Sequence, residues 1–321
     1  MSRVMAQIKS ECPITISLVA PIYGVEKFIA KFADSVLGQS YPHIQYVFVN
    51  DGTKDASMEI LNDIILKKYA YRKKHIVIVN KENGGLPAAR QTGLQYVTGD
   101  YVLHVDSDDW LAEDAIESIV SRIEETGSEV VYFDYVKEYP NKSKIKRERL
   151  YDISVKDVYI RDMYTHKVAG SVWNKCVKST LYTEHKLCVP QYGYAEDCCL
   201  NVQLLGFASS ITHLNKALYH YRKGNPKAMT RQGIRKRKRE YVENFLNLYE
   251  AYKDIPDENN PIACLVDDIL IQAGWYSILY NFKLFASRPY LAKEIRRSRI
   301  RKGTNVWVGF QILTKLYALF R

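Results

Sequence analysis

The chain has 321 residues, 47% apolar and 26% charged, the profile of one large or two modest folded domains rather than a disordered segment. Its 46 Lys and Arg against 36 Asp and Glu give a formal charge of +10, but residues 226–321 alone hold 18 basic and 9 acidic side chains, nine of the ten surplus charges. The nearly neutral first two-thirds excludes a protein that coats nucleic acid along its length, and the tail needs an explanation of its own.

No apolar run approaches the length of a membrane-spanning helix, and Met1–Glu11 is polar without a signal-peptide core, so a cytosolic chain is expected. The six cysteines then read as reduced thiols. Cys198 and Cys199 are adjacent, the others are scattered, and none has metal-finger spacing.

The elements begin with Thr15–Ala20, a β-rich apolar run predicted to end at Pro21. A helix follows, with Phe28, Ile29, Phe32 and Val36 at 3–4 spacing. Gln45–Asn50 is a second strand closed by Asp51-Gly52, and Met58, Leu61, Ile64 and Ile65 mark a second helix with Asp55 as its N-cap. His75–Asn80 is a third strand, Asn83–Gly85 a loop, Leu86–Tyr96 a helix and Tyr101–Val105 a fourth strand. Ile116, Ile119, Val120 and Ile123 form a regular amphipathic stripe, and Val130–Tyr135 is a fifth strand. This β-α-β-α order predicts an α/β fold with a mostly parallel sheet and helices on both faces. Pro140–Arg149 reads as a charged loop, an insertion or lid. Glu196–Phe207 reads as a helix, Ile211–His213 and Leu218–Tyr221 as short strands. Helices are expected over Ile234–Tyr252, Ile262–Phe285 and Asn305–Phe320.

In an open parallel sheet, ligands lie beyond the carboxyl ends of the strands. There the sequence gathers Pro21 and Tyr23, then Asn50-Asp51-Gly52, then Asn83-Gly84-Gly85, then Asp106-Ser107-Asp108-Asp109-Trp110. Three carboxylates in four residues repel one another unless a cation or strong donors offset them. A strand-end D-x-D suits a hard divalent ion, Mg²⁺ or Mn²⁺, shared with phosphate oxygens. Helix N-capping accounts for Asp109 or Asp114, but not for Asp106 and Asp108 together.

These segments resemble family 2 glycosyltransferases. Pro21–Tyr23 (P-x-Y), Ser35–Tyr41 (S-V-L-x-Q-S-Y) and Val49–Asp55 (V-N-D-G-T-x-D) follow that family's order and spacing. The likeness continues through Asn83–Trp110, Ser171–Leu181, Ala195–Leu205 and Ala217–Arg231, so it covers roughly residues 14–231 and leaves out the tail. It implies a GT-A-type nucleotide-sugar fold in residues 1–225, with a nucleotide-sugar half (12–110) and an acceptor half (111–225), followed by a basic helical extension (226–321). It also implies inversion at the anomeric carbon, a divalent metal (Mn²⁺ or Mg²⁺), a UDP-sugar donor and a glycan or lipid-linked glycan acceptor of the bacterial polysaccharide type.

Carried over by residue, the resemblance makes Asp51 the acceptor for the base N3–H, with Tyr23 against the base and Pro21 shaping the loop. Arg90 and Ser107 join the nucleotide-sugar contacts. Asp106 meets ribose or metal, and Asp108 ligates the metal. Glu196-Asp197 matches the family's acidic pair, with Asp197 as the base for the acceptor hydroxyl and Glu196 as the alternative. Trp173 and Lys175 lie on the acceptor side, Trp173 either as a platform or as core. Three positions depart from the pattern: Gly24 where Asn is common, Asn50 in place of the first Asp, and Gln91 in place of Asn. His104 and His213 have no paired ligand spacing and read as core or surface, and His220 can reach the diphosphate at the rim.

Pro21–Gly24 is not the Gly-rich phosphate loop of a nucleotidyltransferase or the G-x-G-x-x-G of a dehydrogenase. A D-x-D phosphatase would carry its acidic pair after the first strand. The alternative from another class is a catalytically inactive nucleotide-sugar-binding module. In the tail, Arg235–Arg239 and Arg296–Lys302 are basic clusters, and an aromatic amphipathic segment over Asn305–Arg321 follows the second. That pattern suits an anionic membrane surface at the cytoplasmic face, the alternative being helices packed on the catalytic part. Nucleic acid is not an expected partner, because no recognised module accompanies the charge.

Overall fold

The computed structural model describes residues 12–225 and 233–279. They form two compact units, and the division does not fall at a single boundary near residue 225. The first unit takes residues up to 153, 172–186 and 208–225, whereas the second takes 154–171, 187–207 and 233–279.

The first unit opens with β1 (Ile16–Ile22), α1 (Ile29–Leu37), β2 (Ile44–Asn50), α2 (Ser57–Lys68), β3 (Ile76–Asn80), α3 (Leu86–Leu94) and β4 (Tyr101–His104). Then come β5 (Trp110–Leu111), α4 (Ala115–Thr126), β6 (Val130–Tyr139) and β7 (Lys142–Lys146). α5 (Lys156–Tyr164) belongs to the second unit, and β8 (Lys175–Lys178) and α6 (Thr180–Thr183) return to the first. α7 (Glu196–Phe207) is in the second unit, β9 (Ile211–Arg222) in the first, and α8 (Ile234–Tyr252) and α9 (Val266–Leu279) in the second.

One sheet runs β3-β2-β1-β4-β8-β6-β9-β5, with β7 on β6. β3, β2, β1 and β4 are parallel, as the β-α-β-α reading expects. β8 then inserts antiparallel between β4 and β6, and β6 pairs parallel with β9. The amphipathic stripes find this sheet. Ile29, Phe32 and Val36 of α1 are buried, as are Ile116, Ile119, Val120 and Ile123 of α4. Phe28 is only half-buried and serves a cleft described below.

Three local expectations change. β1 runs through Pro21 instead of ending there. Val19 O accepts from Val105 N (3.0 Å) and Pro21 O from Ser107 Oγ (2.6 Å), so the proline's missing N–H falls on the side where β4 has already stopped. Pro140–Arg149 is not all loop, because Lys142–Lys146 returns as β7 in an antiparallel hairpin with β6. Its lysines mark an edge strand, a pattern that composition alone does not separate from a solvated loop. The two short strands at 211–213 and 218–221 are one strand, whose pairing with β6 slips near the exposed Asn215 and Lys216.

Asp55 secures the start of α2. Its Oδ1 accepts from Thr53 Oγ1 (2.8 Å), Ser57 Oγ (2.6 Å) and Ser57 N (3.2 Å), and its Oδ2 from Glu26 N (3.1 Å). Burial by itself would raise this carboxyl, but the Ser57 and Thr53 hydroxyls and the two amides outweigh it and hold the pKa at about 2, against an ordinary 3.8. A folded-state pKa below the unfolded one contributes stability that is complete above the unfolded value and is lost as pH falls through the folded one. Asp55→Asn is therefore expected to flatten the decline in unfolding free energy between roughly pH 4 and pH 2, measured by urea titration.

In the second unit, α5, α7, α8 and α9 pack together. Gln203 of α7 exchanges hydrogen bonds with Cys188 N and O (2.7 and 3.0 Å) and accepts from Tyr252 Oη (2.7 Å). All six cysteines are free thiols. Among the described residues no helix is long and apolar enough to cross a membrane. Arg235–Arg239 sits on the first turns of α8 and is largely exposed, whereas Arg296–Lys302 and Asn305–Arg321 lie outside the described residues.

Candidate active site

The parallel register Ile22↔Asn50 and Asn50↔Asn80 brings the carboxyl ends of β1, β2 and β3 to one edge, and Val19↔His104 sets β4 beside them. Asp51 follows β2 and is 3% exposed. Its Oδ1 accepts from Gly84 N and its Oδ2 from Gly85 N, each at 2.9 Å, and Lys81 Nζ pairs with Oδ1 at 2.7 Å. Asp51 thus holds the Gly-Gly loop in place as well as facing the edge. The approach is tight: a Cβ on Gly52, whose φ is +67°, would lie 2.9 Å from Asn83 N. Gly85 enters α3 at φ +82°, open to glycine at no cost.

The departures at Gly24 and Asn50 have local reasons. Gly24 sits at φ +68°, where glycine and asparagine are both tolerated, and donates its N–H to Thr53 Oγ1 (2.8 Å). Asn50 accepts from Thr53 N (3.0 Å) and donates to Asn80 Oδ1 (2.9 Å), a pairing that an aspartate, which cannot donate, would not make. Pro21 is buried in β1, and Tyr23, 56% exposed, stands open at the same edge.

Arg90 reaches from α3 to Asp106, Nη2 to Oδ1 at 2.6 Å, with its own side chain 3% exposed. Ser107 is buried by its bond to Pro21 O. Asp108 accepts from Asn225 Nδ2 (2.8 Å) through Oδ2, and its carbonyl accepts from Arg222 Nε (2.8 Å). Asp109 is not a helix cap. It is 1% exposed and accepts from Tyr219 Oη (2.9 Å) and Arg222 N (2.7 Å), while Asp114 stands at the N-cap position of α4. Burial, and then the charges of Asp108 and Asp106, push the Asp109 carboxyl well above its ordinary range. Tyr219 Oη also accepts from Asp106 N (3.1 Å), so a single tyrosine ties both ends of the turn.

Lys81, Asp109, Tyr219 and Asn225 were not apparent as site residues from the sequence. Tyr219 and Asn225 lie more than a hundred residues from their partners, and the only signal was their place in the Ala217–Arg231 segment.

Trp173 is 4% exposed. Its ring stacks on Tyr219 (4.4 Å between centroids, 15° between planes) and Tyr221 (5.3 Å, 28°) and meets the edge of Tyr135 (4.8 Å, 79°). Lys175, 1% exposed, donates to Asn174 Oδ1 (2.8 Å). His213 is a core residue, bonded to the buried Asp134 (2.9 Å) and stacked on Tyr132 (4.9 Å). His104 is 1% exposed and meets Tyr182 edge-on.

A cleft of about 600 Å³ opens beside this turn, lined by Phe28, Lys31, Trp110, His220, Arg222 and Asn225 among others. Trp110 stacks on His220 (5.1 Å, 9°), with Lys31 Nζ 3.3 Å and the Arg222 guanidinium 4.8 Å from its ring centre. His220 Nδ1 is bonded to Glu138 (2.8 Å). Burial and the neighbouring Arg222 push the Lys31 ammonium down.

In the second unit, Glu196 and Asp197 open α7. Glu196 is 3% exposed and Asp197 half-buried. Ala195, immediately before them, sits at φ +65°, a strained position for a side-chain-bearing residue. The approach is held from α8: Asn244 accepts from Gln191 N and Tyr192 N (both 3.1 Å) and donates to Tyr192 O and Tyr194 O (2.9 and 3.0 Å). Glu240 accepts from Tyr194 N (3.0 Å).

The sequence profile of Glycosyl transferase family 2 matches residues 17–184. The chain is 32% identical over 217 residues to the glycosyltransferase GlyA of Streptococcus pneumoniae, covering 64% of this chain but 30% of GlyA. It is 28% identical over 287 residues to EpsH of Bacillus subtilis, covering 87% of this chain and 80% of EpsH. Over 217 residues it is 27% identical to the minor teichoic acid biosynthesis protein GgaB of Bacillus subtilis, covering 64% of this chain and 23% of GgaB. The fold matches residues 1–349 of S. aureus TarS, solved in complex with UDP-GlcNAc, with a TM-score of 0.62 and 18% identity over 92% of this chain and 79% of that one.

Proposed function

The chain belongs to glycosyl transferase family 2, and on that premise we propose that it transfers a sugar from a UDP-sugar to a hydroxyl of an envelope glycan or lipid-linked glycan, with inversion. The observation that carries this reading is the convergence at one sheet edge of the Asp51-held Gly84-Gly85 loop and the Asp106–Asp108 turn. The open ring of Tyr23 and the Asp51 carboxylate supply a stacking face and an acceptor for the base, and the UDP-GlcNAc complex of TarS supports uracil as that base. The Bacillus subtilis relative with a role in minor teichoic acid biosynthesis supports an acceptor in the cell envelope.

The donor set fits a hard divalent cation. Asp106 and Asp108 offer two carboxylates at a strand end, and Asp109 behind them is buried among their charges. Among the described residues no cluster of three His, Cys, Asp or Glu side chains is placed to hold a metal ion. When bound, such an ion would offset charge on the departing diphosphate. Arg90 orients Asp106, and Asn225 orients Asp108. Asp197 takes the acceptor proton as the hydroxyl oxygen forms its bond to the anomeric carbon, and the bond to the UDP oxygen breaks on the opposite face.

A thermal-shift panel of UDP-, GDP- and dTDP-sugars, with and without Mn²⁺, tests this reading. Stabilisation by UDP-sugars that strengthens with Mn²⁺ is expected. A shift confined to GDP-sugars would remove the uracil assignment, and equal shifts without metal would remove the role given to Asp106 and Asp108. UDP-sugar binding without turnover on any envelope acceptor would favour a nucleotide-sugar-binding module.

A further inference from the structure

The hairpin that replaces the expected loop builds a surface the donor site does not use. Pairing places Lys137 directly opposite Lys144, and Tyr135 opposite Lys146, across the antiparallel β6–β7 ladder. On the other side of β6, Lys137 lies beside Tyr221 of β9. Residues paired in register share one face of a sheet, so these side chains stand together. Lys223, just beyond β9, joins them with its ammonium 4.2 Å from the Tyr221 ring centre. Lys137 lies over Tyr135 (5.8 Å) and Lys142 over Tyr139 (5.7 Å). The opposite face of the same strands carries Glu138 and His220, which bond to each other in the cleft.

Like charges directly opposite one another in a ladder destabilise it. Edge protection explains lysines on β7, which among the described residues has a neighbour on one side only. It does not explain Lys137, which sits between β7 and β9, or Lys223. The cost is visible: burial, then the charges of Lys223, Lys146 and Lys144, push the Lys137 ammonium down, with Glu148 the acid that opposes them. The surface is continuous with the site, because Tyr139, Pro140 and Lys223 also line the cleft that reaches Asn225, the partner of Asp108.

We propose that this lysine–tyrosine face binds the acceptor through phosphodiester groups, so that the acceptor is a phosphate-bearing glycan or polyol chain. Lysines spaced along the ladder neutralise successive phosphates, and the exposed Tyr139 ring offers a flat apolar face to the intervening carbon skeleton. This inference rests on the transferase reading for the word acceptor, and on the lysine geometry alone for the anion.

The test is binding of a short synthetic poly(glycerol phosphate) chain to the full-length protein, with a neutral dextran oligosaccharide and phosphatidylglycerol vesicles in parallel. Tight, salt-sensitive binding of the phosphate chain over dextran is expected. Lys137→Gln with Lys144→Gln, and separately Lys144→Gln with Lys146→Gln, should each weaken it about tenfold, or about 1.4 kcal/mol. Lys144→Arg should retain it, and a preserved UDP-sugar thermal shift shows that the variants are folded. Equal affinity for dextran, unchanged binding in both double variants, or binding of vesicles but not of the soluble chain would overturn the proposal. A donor shift without phosphate-chain binding removes this surface alone. Lysine-dependent chain binding without any donor shift removes the transferase reading and leaves the anion site standing.

Discussion

Asp197→Asn is expected to lower kcat for sugar transfer by about 10²–10⁴-fold while leaving the UDP-sugar thermal shift unchanged. The substitution keeps the shape of the side chain and removes its ability to take a proton. Asp197 sits in the first turn of α7, at the positive end of the helix dipole. The turn is also held in an unusual way. Ala195 stays in the left-handed region, and Asn244 bonds both the N–H and the carbonyl of Tyr192. Glu196, by contrast, is almost fully buried, so Glu196→Gln should act mainly on stability. Single-turnover rates and donor binding measured on both variants separate the roles. A large rate loss in Glu196→Gln with near-normal transfer by Asp197→Asn would move the base to Glu196.

Trp173→Ala is expected to cost about 3–5 kcal/mol of stability, the scale of deleting a large buried aromatic side chain. The indole is stacked against Tyr219 and Tyr221 and edge-on to Tyr135, so its loss leaves a cavity over the paired strands β6 and β9. The effect should extend to the donor site through Tyr219, whose hydroxyl joins Asp106 N to Asp109. A looser turn weakens the Mn²⁺-dependent part of the donor shift. Trp173→Phe, which keeps a ring between the tyrosines, should recover most of the stability. A platform for the acceptor would behave otherwise: alanine would raise KM for the acceptor and leave the urea midpoint where it was. The two measurements, made on one protein, decide between core and platform.

Helix boundaries show how unevenly the molecule could be read from its residues. α7 spans Glu196–Phe207 and α8 spans Ile234–Tyr252, each as its local pattern predicts, because a helix carries its own backbone hydrogen bonds within four residues. The ends of β2 at Asn50 and β3 at Asn80 were legible for a different reason: apolar runs closed by Asn, Asp and Gly mark where a chain turns, whereas β1 runs on through Pro21. The edge strand β7 was not, since its lysines satisfy both an exposed strand and a loop, and only the partner strand decides between them.

By itself, the sequence determined the β-α alternation, the side of the sheet where polar residues collect, and the Asp51, Asp106 and Asp108 positions, all of which depend on neighbours a few residues away. Tertiary structure alone decided that β8 enters antiparallel between β4 and β6, that Asp51 clasps Lys81 and the Gly-Gly loop, and that Asp109 is buried against Tyr219. It also decided that the second unit is gathered from three separate stretches of chain. The named side-chain and strand pairings join residues 30 to 110 positions apart. Each is selected by which buried donor or charge lacks another partner once the core has closed, and no local periodicity records that competition.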